Sequence, residues 1–317
     1  MTHVARSLFT FVVAVALVAC GGGEKAGQQG SSTRSNKPLT VKGSDTMVIL
    51  TQRLAEDYMK ANAGTVVQVN GGGSGTGIAA LINGTADLAM ASRPMKDSEK
   101  QQAAKSRGAE VVEHAIALDA LAVFVNAVNP VQQLTIAQVK DIFQGKTKNW
   151  SEVGGPNAPI VLYGRESSSG TYDYFREHVM DKGDFAPAVQ TLQGTAAIIN
   201  AVGSDKNGIG YGGIAYAKEA RALAVQAEGA QPVAPSEQTV ADGTYPLSRK
   251  LFFYFPQNAA ERVTKFAEWS LTPEAQALVT SVGYFPLATV AASDAPATDT
   301  TATETVATDT AASTTAQ

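Results

Sequence analysis

The stretch Leu39-Thr40-Val41-Lys42-Gly43-Ser44-Asp45-Thr46-Met47 holds the pattern from which the fold follows. Leu39–Lys42 is a short apolar run of strand type, stopped by a glycine. Met47, Leu50, Leu54, Ala55 and Tyr58 then recur at helical spacing, which predicts an amphipathic helix over about 46–60. Ser44 or Asp45 stands where that helix needs an N-cap. The same device returns twice. A strand at 65–69 runs into Gly71-Gly72-Gly73-Ser74-Gly75-Thr76-Gly77 and a helix through Leu81 and Ile82. A strand at 159–163 opens into Gly164-Arg165-Glu166-Ser167-Ser168-Ser169-Gly170-Thr171 and the helix of Tyr172, Phe175 and Val179.

Between these units the hydrophobic period predicts further alternation. A strand at 87–91 runs into Ser92-Arg93-Pro94 and a polar helix over 97–107, followed by two separate apolar runs, 111–117 and 121–126. Ile136, Val139, Ile142 and Phe143 mark a helix closed by Gly145. A helix near 195–202, strands at 208–211 and 251–255, and two closing helices complete the pattern; the last carry Val263, Phe266 and Trp269, then Leu278 and Val282. Strands alternating with helices make this an α/β chain with largely parallel sheets.

Composition narrows the function. The chain has 317 residues, 44% of them hydrophobic, enough for two globular domains. Its one cysteine excludes an intramolecular disulfide and a Cys-cluster zinc site. Three histidines leave little material for imidazole chemistry or a His-based metal site, and no cofactor is expected. One of the 25 basic residues (Arg6) precedes residue 20 and four of the 29 acidic ones lie after 292, so the stretch 20–292 sits at −1. That is no nucleic-acid surface. The 71–77 loop holds no G-x-G-x-x-G, and no G-x-x-x-x-G-K-[ST], H-E-x-x-H or G-x-S-x-G pattern occurs in the chain.

The three glycine- and hydroxyl-rich turns point instead to an oxyanion. Each presents backbone N–H groups and a hydroxyl at the positive end of a helix dipole. Glycine lets the backbone approach a ligand closely. In an open α/β sheet such turns share the crevice at the carboxyl ends of the strands. A single turn of this kind usually only connects two elements, and Ser74 and Thr171 read either as ligand groups or as turn and cap residues. Arg165 reads as the cation on the anion, or as a salt bridge to Glu166. Arg93 adds a second positive group, or faces solvent with Asp97. His178, Trp150 and Trp269 read as packing residues.

The sequence resembles the phosphate-binding lipoproteins that feed the bacterial phosphate-specific ABC transporter. The resemblance spans about 39–287. It rests on Gly43–Met47, Gly72–Gly77, Ala91-Ser92-Arg93, Gln138–Gly145 with Asn149-Trp150, Gly164–Thr171 and Gly208-Ile209-Gly210-Tyr211. It implies the type II periplasmic-binding-protein fold, two α/β lobes joined by a two-segment hinge with the ligand in the cleft between them. Lobe I would comprise 39–125 and 246–290, lobe II 126–245, with hinges near 125–127 and 244–247. The implied phosphate ligands are Ser44, Asp45, Thr46 and Met47 from the first turn and Ser74 from the second, then Ser92 and Arg93, and finally Arg165, Ser169, Gly170 and Thr171 from the third. Long members of that family place an Asp where Ser92 stands here. Asp45 then either accepts the phosphate proton in its stead or merely caps the helix.

The first twenty residues bear on the compartment. Arg6 and the apolar run Leu8–Ala16, ending in Leu17-Val18-Ala19-Cys20-Gly21, fit a secretory signal over 1–19. The junction is similar to a bacterial lipobox, which implies a lipid anchor on Cys20 facing the periplasm or the cell exterior. Residues 20–37 read as a flexible tether and 293–317, mostly Thr and Ala, as a disordered tail. The expected role is therefore capture of inorganic phosphate, without catalysis, by a monomer that serves the transmembrane permease subunits of an ABC importer. Sulfate, phosphonate or molybdate are alternative ligands, phosphate-ester hydrolysis an alternative activity, and surface adhesion or sensing a role that would coexist with capture.

Overall fold

The opening strand, turn and helix form as read, with one shift. In the computed structural model, which describes residues 37–287, strand β1 (Leu39–Gly43) runs into a 3-10 turn at Asp45–Met47 before helix α1 (Val48–Ala61) begins. Neither Ser44 nor Asp45 caps it through a side chain. Signal segment, Cys20, tether up to residue 36 and tail all lie outside the described residues.

The strands that follow are β2 (Val67–Asn70), β3 (Leu88–Ala91), β4 (Val111–Asn126), β5 (Gln133–Thr135) and β6 (Val161–Arg165). Then come β7 (Gln190–Leu192), β8 (Gly208–Gly213), β9 (Ala220–Ala222), β10 (Ala224–Gln226) and β11 (Ser248–Pro256). The helices are α2 (Ser74–Ile82), α3 (Asp97–Arg107), α4 (Ile136–Phe143), α5 (Gly170–His178) and α6 (Thr195–Ser204), then α7 (Glu237–Ala241), α8 (Glu261–Trp269) and α9 (Pro273–Val282).

Hydrogen-bonded neighbours run β2-β1-β3-β11-β4-β8-β6-β7, with β9 on β4 and a separate β5–β10 pair. The outer strands pair parallel, as expected: β1 with β2 and β3, and β6 with β7 and β8. The centre departs from that expectation. β4 and β11 run antiparallel to each other and to their neighbours β8 and β3, because they carry the chain across the middle and back. The two apolar runs expected at 111–117 and 121–126 are one sixteen-residue strand. Asp119, which breaks the apolar pattern, is paired across the strand with Arg249 and so interrupts nothing.

Of four buried hydrophobic clusters among the described residues, the two largest flank this crossing as cores. Leu39, Leu50, Leu54, Phe253, Phe266 and Val279 belong to the first; Leu121, Ile142, Phe143, Trp150, Phe175 and Tyr211 belong to the second. In the second, Tyr211 stacks on Phe175 at 3.9 Å and meets Phe143 edge-on at 5.4 Å. Each such ring is worth roughly 1.5–3 kcal/mol when fully buried. Trp269 packs at the margin of the first core, 5.4 Å from Tyr58. Along β4 the changeover falls between Ala117 and Ala120, ahead of the hinge expected at 125–127. On β11, Leu251 packs in the first core, while Leu247 just before the strand packs in the second. Among the described residues no helix is long and apolar enough to cross a membrane.

Candidate functional site

Four helix N-termini meet where the two cores adjoin. The turn after β1 brings Ser44 and Thr46, the start of α2 brings Ser74, and the start of α5 brings Ser169, Gly170 and Thr171. The fourth, the start of α6, brings Thr195 behind Gly194. Together with Ser92, which follows β3, these side chains form one buried hydroxyl cluster. Thr46 Oγ1 lies 2.7 Å from Thr171 Oγ1, a contact between residues 125 positions apart. Ser44 Oγ donates to Ser92 Oγ at 2.9 Å, and Ser92 Oγ lies 3.4 Å from Ser74 Oγ. Thr195 Oγ1 is 3.5 Å from Thr46 Oγ1.

The local backbone accounts for this convergence. Ser169 caps α5, its hydroxyl accepting from the Thr171 and Tyr172 N–H groups at 3.1 and 3.3 Å. The Tyr216 hydroxyl donates to the Asp45 carbonyl at 2.7 Å, and that of Tyr284 to the Thr46 carbonyl, so the first turn is held from both sides. The Met47 N–H closes the 3-10 turn on the Ser44 carbonyl at 3.0 Å. Gly170 packs so tightly that a Cβ there would collide with Ser74 Oγ and come within 2.9 Å of Ser92 Oγ. Gly73, at φ +94°, lets the Ser168 carbonyl approach in the same way.

Charge enters from behind the hydroxyls. Arg165, almost wholly buried, donates through Nη1 to Thr195 Oγ1 at 2.8 Å, through Nη2 to Asp45 Oδ2 at 3.0 Å, and through Nε and Nη2 to Glu166 at 3.0 and 2.9 Å. The salt bridge to Glu166, one of the two sequence readings of Arg165, is present, and the same guanidinium also reaches the hydroxyl cluster through Thr195. Asp45 does not cap α1. Its Oδ1 accepts from the Gly72 N–H at 2.8 Å while its Oδ2 holds Arg165, so it ties the second glycine turn to the third.

Arg93 stands apart from the cluster. Its guanidinium donates to both Glu99 oxygens, to Asp173 Oδ2 and to the Pro94 carbonyl, each at 2.8 Å. Neither sequence reading describes it: it faces away from the hydroxyls, and it is buried against Glu99 and Asp173 rather than solvated beside Asp97.

Sequence reasoning passed over three members. Thr195 follows a strand and a glycine as Thr171 follows Gly170, a signal that was available. Arg249 and Asp119 left none, because they lie 130 positions apart and meet only through the β4–β11 register. Arg249 donates to Asp119 Oδ2 through Nε and Nη2 at 2.9 and 2.7 Å, to the Ser92 carbonyl at 3.2 Å and to Thr171 Oγ1 at 3.1 Å. Burial pushes the Asp119 carboxyl upward, opposed by Arg249 and by the Ile214 N–H. Such an array of hydroxyls and helix N-termini, backed by guanidinium groups, is suited to hold a small oxyanion out of water.

Comparison with known proteins agrees with this chemistry. The family model described as PBP superfamily domain matches residues 24–274. A phosphate-binding protein PstS of Pseudomonas aeruginosa is 36% identical over 84% of this chain and 88% of its own length. A crystal structure of a putative phosphate ABC transporter substrate-binding protein from Clostridium perfringens, with bound phosphate, superposes with a TM-score of 0.71 at 29% identity, covering 79% of this chain and 99% of that one. An ABC-type phosphate transport receptor from Vibrio cholerae gives 0.64 at 31% identity, covering 78% of this chain and 100% of that one. The fold is therefore the two-lobed α/β architecture of these binding proteins, with β4 and β11 as the crossing segments. The chain belongs to the PBP superfamily and, within it, to the family of phosphate-binding proteins PstS.

Proposed function

We propose that this protein captures inorganic phosphate outside the cytoplasm and delivers it to the transmembrane permease subunits of an ABC importer. The observation that carries the reading is the single buried cluster of hydroxyls drawn from four helix N-termini, with two guanidinium groups behind it. Thr46, Ser74, Ser169, Gly170 and Thr171 would surround the anion, with Ser44 and Ser92 at its edge and Arg165 supplying charge. An oxyanion held this way is stabilised by fixed dipoles that need no reorganisation on binding.

The lobes, about 39–118 with 248–287 on one side and 120–247 on the other, close on the guest through contacts between their turns. The Gly75 N–H donates to the Ser168 carbonyl at 2.9 Å, and Asp45 clasps Arg165. Closure of this kind expels water and strengthens each dipole. The permease subunits would read the closed form.

Binding without reaction also fits the histidines. His114 Nε2 is engaged with the Ala267 carbonyl and His178 Nδ1 with the Tyr174 carbonyl, and neither of these two rings is hydrogen-bonded to a site hydroxyl that it would have to activate. Cys20 would carry the lipid anchor, and one chain would suffice for one site.

Calorimetry of the full chain, stripped of bound anion, tests the reading. One equivalent of phosphate should bind while sulfate does not. Equal uptake of sulfate would make this a general oxyanion binder, and silence towards millimolar phosphate would overturn the proposal. Turnover of an aryl phosphate ester would restore the hydrolase.

A further inference from the structure

Arg249 lies outside the three turns that the sequence singles out, yet it touches both sides of the hydroxyl cluster. Nη1 donates to the Ser92 carbonyl at 3.2 Å, and Nη2 donates to Thr171 Oγ1 at 3.1 Å. Asp119, its register partner on β4, holds the same guanidinium through Nε and Nη2. The Tyr174 ring covers the group, with its centroid 5.4 Å from Cζ. Arginine and carboxylate are both buried, so their geometry is fixed by packing and by each other.

A guanidinium only donates hydrogen bonds. Thr171 Oγ1 must therefore accept from Arg249, and its own single proton is left to point elsewhere, on the side where Thr46 Oγ1 lies 2.7 Å away. Arg165 does the same for Thr195 at the other end of the hydroxyl row. Without such a donor at its back, a threonine hydroxyl is free to turn its lone pairs on an anion, which repels it. Hydrogen bonds in a chain also polarise one another.

We propose that Arg249, held by Asp119, is a positioning residue of the anion site: it turns the Thr171 hydroxyl proton towards the bound oxyanion. This rests on the phosphate-binding reading and extends it to a pair on the crossing strands. Because Arg249 sits on β11 and Thr171 on α5, its bond forms when the two halves come together, so orientation of the donor and closure are one event.

The test is a double-mutant cycle on the full chain, read by phosphate calorimetry. Removing Arg249 alone strands a buried carboxylate, so the first variant is the neutral pair Arg249→Met with Asp119→Asn. It should lose roughly 10- to 100-fold in phosphate affinity, the scale of a hydrogen bond from a charged donor. In a Thr171→Val background the same pair change should cost less than about threefold, since the hydroxyl it orients is gone. Arg249→Lys keeps the charge but lacks the fork that spans Asp119 and Thr171, and should reproduce the loss; it supplies the measurement should the neutral pair not fold. A folded pair variant or lysine variant that binds as the wild type overturns the proposal, as does an additive cycle, which would make Arg249 a structural tie. Failure of the wild type itself to bind phosphate defeats the underlying reading, and this inference falls with it.

Discussion

Arg93 and Arg249 are nearly equally buried, at 6% and 5% exposed, and each reaches across the junction of the two halves, Arg93 to Asp173 and Arg249 to Thr171. They differ in what remains of each guanidinium. Arg93 gives its hydrogen bonds to Glu99, Asp173 and the Pro94 carbonyl, so acceptors that are themselves anionic or fixed consume it. Arg249 meets one carboxylate and then a hydroxyl. A hydroxyl accepts and donates, so it relays the polarity of the cation to a further partner; a carboxylate ends the chain. Burial of an arginine beside a cleft thus says little about anion binding until its partners are known.

The comparison breaks most sharply at Gly170. Gly170→Ala places a methyl group against Ser74 and Ser92 in the hydroxyl cluster, whose atoms are the nearest to it. Overpacking of about 1–3 kcal/mol there corresponds to a loss of up to about 100-fold in phosphate affinity. The melting temperature should hardly move. Wild-type affinity in the alanine variant would show that the turns do not close as tightly as the structure has them.

A pair of variants sharpens the same contrast. Asp45→Asn removes the charge from the clasp between Arg165 and the Gly72 N–H, beside the site, and should weaken phosphate by roughly three- to tenfold while sulfate remains excluded. Loss of discrimination in that variant would restore Asp45 as the acceptor of the phosphate proton. Asp173→Asn acts on the other arginine, which keeps its fork on Glu99, so titration should register less than about threefold. Equal losses from the two changes would erase the distinction between a relayed and a consumed guanidinium.

The smallest effect is one of acidity. Burial would raise the Glu99 carboxyl, but the hydrogen bonds from Arg93 and from the Lys96 N–H outweigh it and hold that group below the usual range. A carboxyl depressed in the folded state stabilises the fold fully above its unfolded value, about 4.3, and the contribution disappears as pH falls through the folded value. Glu99→Gln should therefore flatten the acid limb of the melting curve below about pH 4.3 and leave the melting temperature at pH 7–8 insensitive to pH, as in the wild type. A mutant that melts with the wild-type acid slope would place the acid sensitivity elsewhere.

Much of the site was readable because it is made of local devices. A strand, a glycine and a hydroxyl at the start of a helix lie within a few residues of each other, so Thr46, Ser74, Ser169, Gly170 and Thr171 could be picked out by pattern. Thr195 obeys the same pattern and was missed only because its strand, β7, has three residues and weak apolar character. Arg93 shows the limit: its neighbour Ser92 joins the cluster while the next side chain leaves on the opposite side, and no spacing rule says which charged group an arginine will meet.

The order of elements, the α/β alternation and the hydroxyls at the helix starts were decided by the sequence itself, since each depends on periodicity and turn chemistry over a dozen residues or fewer. The fusion of two apolar runs into the long β4, its antiparallel return in β11, and the pairing of Asp119 with Arg249 were decided only in three dimensions. Those features depend on the register between strands far apart in the chain. A buried aspartate within an apolar run reads as an interruption until its counter-ion, 130 residues away, arrives beside it.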